Sequence, residues 1–183
     1  LHVTLVAHLD FVPILLVIIS LALLRKHRWA ALFLFSLSLG VKQIGVFLMP
    51  LFLIWVWQDA KENRLRQVAL ALLVISSVPL VSSLPFLLWN TPGQPLSGAE
   101  ALIKSVLFSA TRAPADHFGA ASADGLMGWT GIPANLPMLV MMALAYLLMF
   151  RRRIGVYLGS LQVMASFLDF NSVLFLQYLA RTV

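Results

Sequence analysis

Of 183 residues, 61% are hydrophobic and only 11% charged, mean hydropathy is +0.93, and there is no cysteine. A soluble domain carries roughly a quarter charged residues on its shell, so this composition excludes one, and the lack of cysteine excludes disulfide frameworks, thiolate metal sites and thiol nucleophiles. The net charge of +6 and the pI of about 10.3 come from cations that bracket apolar runs, not from a stripe suited to nucleic acid.

The apolar runs are about 14 to 28 residues long, which suits a bilayer of about 30 Å. They lack the alternation of a β-barrel strand. The expected fold is all-α, a polytopic transmembrane helical bundle forming one domain over 1–183. The chain starts at Leu1 without a basic n-region or cleavage motif and stops at "ARTV"; it is expected to be part of a longer membrane protein.

In chain order, the first span covers about 3–24. His8 and Asp10 stand near its start, and Asp10 before "FVPILL" with Pro13 in the first turn makes a good helix start. A cap and a functional role are compatible there. A basic cluster follows, Arg25, Lys26 and Arg28. The next apolar piece, 30–57, would be about 42 Å long as one helix, overlong for a single crossing. Lys42 and Gln43 interrupt its middle.

Charge decides how 30–57 runs. Nine of the thirteen Lys and Arg lie in three clusters: Arg25, Lys26 and Arg28; Lys61, Arg64 and Arg66; Arg151, Arg152 and Arg153. A single helix would split the cations almost evenly between the two sides. A hairpin turning at "GVKQ" puts all nine on one side, as cytoplasmic loops demand. The expectation is therefore a short re-entrant-like hairpin with arms of about 18–20 Å, shielded because a bare turn cannot face lipid. Lys42 then sits at its tip, near the external face. It either snorkels at a turn or meets an anion.

The next span covers about 68–90. Residues 91–133 form an external loop. Within it "SGAE", with Ser97 and Glu100 as a capping box, precedes a stripe of Leu102, Ile103, Val106, Leu107 and Ala110. This predicts a short interfacial helix with Lys104 at its polar edge. Arg112 follows in loop, and Trp129 suits a headgroup anchor. Asp116, His117 and Asp124 could bind a divalent metal, but three scattered residues are weak evidence and a solvated loop is the simpler reading. Spans at about 134–150 and 154–180 complete the chain. The last carries Asp169 and a stripe of Asn171, Leu174 and Tyr178, with Gln177 beside it; counting from Arg153, Asn171 lies about 27 Å along, near the outer face. Interhelical hydrogen bonding is its ordinary role.

No P-loop, GxGxxG, HExxH or GxSxG motif is present. Intramembrane polar residues are thus the functional leads. Lys42, Lys104, Arg112 and Arg181 are cations on the external side or near it, where the positive-inside pattern gives them no purpose. Together they suit a lipid phosphate whose headgroup is processed outside. A transporter or lipid flippase is the alternative, and a non-catalytic membrane scaffold a third reading.

"HLDFVPILLVIISLALLRKHRWAALFLFSLSLGVKQIGVFLMPLFLIW" and "VPLVSSLPFLLWNTPG" resemble the middle of GT-C-fold glycosyltransferases that use polyprenyl-phosphate sugars. "FNSVLFLQYLAR" resembles the last-span pattern of the glycosylphosphatidylinositol mannosyltransferase I group: Phe170, Asn171, Gln177 and Tyr178 match in spacing, while Arg181 stands where the family often has an aromatic. The resemblance implies an integral, multi-pass protein of a bacterial or archaeal plasma membrane or of the endoplasmic reticulum. It implies inverting transfer of a hexose, possibly mannose in that subgroup, from a polyprenyl-phosphate donor to an acceptor at the external or lumenal face. Lys42, supported by Gln43, with Lys104 and Arg112 as helpers, would bind the donor phosphate. His8, Asp10, Asn171, Gln177 and Tyr178 would stand on the supporting or acceptor side. The family's catalytic carboxylate lies in a first external loop that would precede Leu1, so the chain alone is expected to be inactive.

Overall fold

The computed structural model describes residues 11–88, 98–101, 103–104 and 132–170. Among these, regular structure is entirely helical, as composition requires, with no strand. The chain clusters into two compact units, 1–85 and 86–183.

In the first unit, α1 (Phe11–Leu23), α2 (Arg28–Val41), a 3₁₀ helix (Gln43–Leu48), α3 (Met49–Asp59) and α4 (Arg64–Leu88) follow one another through tight connections. The expected hairpin is there. α2 stops at Val41, Lys42 turns extended (φ −152°, ψ 130°), and the chain returns. Pro50 in the first turn of α3 suits a helix start, where its missing N–H costs nothing. The arms pair in register: Phe35 stacks on Phe52 with centroids 4.2 Å apart, and Arg28 Nη1 lies 3.5 Å from Asp59 Oδ2. Both pairs centre on the Gln43–Ile44 junction, the signature of antiparallel arms. Gly45 permits the return, because a Cβ there would stand 3.1 Å from Leu39 Cδ2.

Two hydrogen bonds fix α1 antiparallel to α2. Ser20 Oγ donates to the Ala31 carbonyl (2.7 Å) and Ser38 Oγ to the Pro13 carbonyl (2.9 Å). α4 runs parallel to α2: Arg28 Nη2 donates to Gln67 Oε1 (2.9 Å) at one end, and Val78 N–H to Ser36 Oγ (3.1 Å) further along. Arg28 thus joins α2, α3 and α4, and the clusters at 25–28 and 61–66 lie at one end of the unit, as the charge count demands. Lys42 is at the other end of α2, about 20 Å away at 1.5 Å per residue.

The core is largely apolar, and so is much of the outer surface. Ser20, Ser36 and Ser38 are buried, while Phe11, Ile14, Ile18, Leu73, Leu80 and Val81 are exposed. α4 is the one helix among the described residues long and apolar enough to cross a membrane, and only 11% of its apolar window is buried.

In the second unit, residues 98–101 and 103–104 are helical, where the interfacial helix is expected, and Lys104 is exposed on it. α5 (Ile132–Phe150) and α6 (Val156–Phe170) pack on each other. Met138, Met142, Ala145 and Met149 form the buried stripe of α5 at alternating spacings of four and three, against Val156, Ser160 and Val163 of α6. The turn between them closes the end of α5. Arg153 N–H donates to the Leu148 carbonyl and Arg152 N–H to the Met149 carbonyl, both at 2.8 Å. This is the Schellman pattern, and Arg152 holds its left-handed position with φ 56°. A Cβ in that region costs about 1 kcal/mol. Arg152→Gly should therefore raise stability by about that amount in thermal unfolding in detergent, whereas Arg152→Ala, which keeps the Cβ, should not.

Candidate functional site

The tip of the hairpin opens into a cleft of about 430 Å³ lined by Leu39 to Gln43 on one side and by Pro79, Ser82 and Ser83 on the other. The cleft is shallow and largely open. Its walls are the end of α2 and the middle of α4, and their approach is set by small residues.

Gly40 is the closest point. A Cβ there would stand 2.6 Å from Val78 Cγ1, nearer than such atoms come. One turn earlier, Ser36 Oγ accepts from Val78 N–H and lies 3.5 Å from Ser77 Oγ. Ser36 and Gly40 form the small-xxx-small stripe that lets apolar helices close up. The interior Pro79 lacks an N–H and so leaves the Ile75 carbonyl without its helical donor, while Ser36 meets the amide of the residue before the proline. Gly40→Ala should cost about 1–3 kcal/mol of stability through overpacking, against a small helix-propensity gain. The double variant Gly40→Ala, Val78→Ala should recover most of it, as thermal unfolding of both would show.

Pro79 also organises the far wall. Its carbonyl accepts from Ser83 Oγ (2.7 Å) and Ser82 Oγ (3.0 Å). With their protons committed there, the two hydroxyls offer lone pairs to the cleft. Opposite them, Lys42 is half-buried and Gln43 exposed. The ammonium carries three donors and the amide both donors and an acceptor. The site thus sets donors with a positive charge on one wall and neutral acceptors on the other. The terminal carbonyls of α2 disfavour an anion at this end; the Lys42 charge, right at the helix terminus, offsets that field.

Of the residues singled out in the sequence, Lys42 and Gln43 therefore share one cleft. Lys104 is exposed on the second unit. His8, Asp10, Arg112, Asn171, Gln177 and Tyr178 lie outside the described residues, as do Asp116, His117 and Asp124. Among the described residues no group of three His, Cys, Asp or Glu could hold a metal ion. Sequence reading missed Ser82 and Ser83. Their signal was the serine pair three and four residues after Pro79, the spacing at which a hydroxyl reaches back to a helix carbonyl. Gly40 likewise carried a legible sign in its spacing from Ser36. Comparison with family models, with curated proteins and with solved structures finds no match to this chain.

Proposed function

We propose that the chain is a multi-pass membrane protein whose hairpin-tip cleft binds the phosphate of a polyprenyl-phosphate sugar, as part of a hexosyltransferase acting at the external or lumenal face. The observation that carries this reading is the composition of the cleft: a lysine and an amide facing two serine acceptors. A sugar phosphate needs that pairing, donors for its oxyanion and acceptors for its hydroxyls.

The membrane part rests on the exposed apolar surface of the first unit. A soluble core helix is apolar because it is buried; only 11% of the apolar window of α4 is buried. Buried serines bonded across helices, with aliphatic side chains outside, are the arrangement lipid favours.

In the transfer, an acceptor hydroxyl attacks the anomeric carbon, the C–O bond to the phosphate breaks with inversion, and polyprenyl phosphate leaves with the electron pair. The acceptor's proton passes to a base. The phosphate gains negative charge as the bond breaks, so a fixed ammonium stabilises the transition state more than the ground state. Lys42 has that role, with Gln43 supporting it by hydrogen bonds. The test is binding of polyprenyl phosphate against uncharged polyprenol of the same length by the purified protein in detergent. Preference for the phosphate is expected; equal affinity for the two lipids overturns the assignment.

A further inference from the structure

The opposite end of the first unit carries a second concentration of charge that the cleft does not use. Arg28 ties α2 to Asp59 of α3 and Gln67 of α4, and this gathers the 24–27 and 60–63 turns side by side. Lys26, Lys61, Arg64 and Arg66 are exposed there, beside Arg25, with Glu62 as the nearby carboxylate not held by Arg28.

Two tryptophans mark the depth of this surface. Trp29 is 42% exposed with the Arg28 guanidinium 4.8 Å from its ring centroid; Trp57 is 37% exposed with that of Arg64 at 5.9 Å. Indoles half out of a helical bundle belong at the headgroup level of a bilayer. A guanidinium held over such a ring is held at the height of lipid phosphates. Arg64 is anchored there a second time, its Nε donating to the Ala60 carbonyl at 3.2 Å. Between Arg64 and Arg66, Leu65 is 76% exposed, an apolar side chain suited to the acyl boundary under a ring of cations.

We propose that this end is a docking surface for anionic phospholipid headgroups, with Lys61, Arg64 and Arg66 as its cations and Trp29 and Trp57 as its interfacial anchors. It rests on the membrane reading above but not on the cleft, which lies at the other end of α2. The surface selects by charge, since each cation near an anionic leaflet contributes about 1 kcal/mol. The occupant is a bilayer lipid because the anchors and Leu65 require an acyl region beneath the phosphates.

The experiment uses the full chain with Trp55, Trp89 and Trp129 replaced by phenylalanine, reconstituted in phosphatidylcholine vesicles. A minor, equal mole fraction of either phosphatidylglycerol or phosphatidylcholine is brominated near the headgroup. Excess quenching by brominated phosphatidylglycerol is expected, corresponding to a local enrichment of about five-fold or more, the equivalent of a single cation. Raising salt should shrink the excess. The triple variant Lys61→Gln, Arg64→Gln, Arg66→Gln should lose the excess while keeping the quenching by brominated phosphatidylcholine, which shows that it is folded and inserted. Equal quenching by the two lipids, or an excess unchanged in the triple variant, overturns the docking surface alone. Quenching by neither lipid overturns the membrane reading, and this inference with it.

Discussion

Phe35→Ala is expected to be the most destabilising single substitution in the first unit, at about 3 kcal/mol. Phe35 and Phe52 are fully buried, with rings stacked 4.2 Å apart at 9°. They join the two arms midway between the Arg28–Asp59 contact and the tip. The value belongs at the low end of the range for such truncations. In detergent or lipid the unfolded phenyl ring is already in apolar surroundings, so the loss is chiefly of packing and of the cavity left behind. Phe35→Leu should cost much less, because it refills most of the space. Thermal unfolding in one detergent, for both variants, measures the difference. A Phe35→Ala protein as stable as the parent would mean that the hairpin is held by something other than this pair.

Lys42→Met should weaken polyprenyl-phosphate binding by about 10- to 150-fold, the equivalent of about 1.5–3 kcal/mol for a hydrogen bond to a charged group. Methionine keeps the length and apolar stem, and Lys42 is only half-buried, so folding should be retained. Lys42→Arg keeps the charge with a different shape and should retain part of the affinity. Ser82→Ala should leave polyprenyl-phosphate binding nearly unchanged, because its hydroxyl is committed to the Pro79 carbonyl and meets the sugar, not the phosphate. Titration of the three variants with polyprenyl phosphate separates these outcomes. Parent-like affinity in a folded Lys42→Met protein would reduce the lysine to a snorkelling side chain at a helix end.

The hairpin was legible because charge segregation is a global constraint. Splitting the cationic clusters makes no physical sense for a membrane protein, and only a turn near Lys42 avoids it. The structure breaks the helix at that residue. The wall opposite Lys42 was not legible by the same means. Ser82 and Ser83 sit in an apolar helix among other serines, and hydropathy gives no reason to separate them from Ser76 or Ser77. What distinguishes them is the partner helix, which Gly40 brings close, and proximity across forty residues has no local signal. The interior prolines of α4 were visible but lay inside a run whose length alone predicted a span. The grouping into two compact units was not legible either, because a count of spans says nothing about which helices pack together.

The sequence separations of the ties in the first unit order its assembly. Ser20 reaches Ala31 across 11 residues, whereas α4 is held by contacts spanning 39 and 42, Arg28 to Gln67 and Ser36 to Val78. Closing the longer loops costs about 1 kcal/mol more entropy than closing the shortest, and α4 shares only a thin seam with α2. Loop entropy therefore favours α4 as the last element to dock on the others. Since α4 supplies Pro79, Ser82 and Ser83, the cleft comes into being only at that final step. Anything bound in it holds α4 in place, so occupancy of the cleft and docking of α4 are thermodynamically linked.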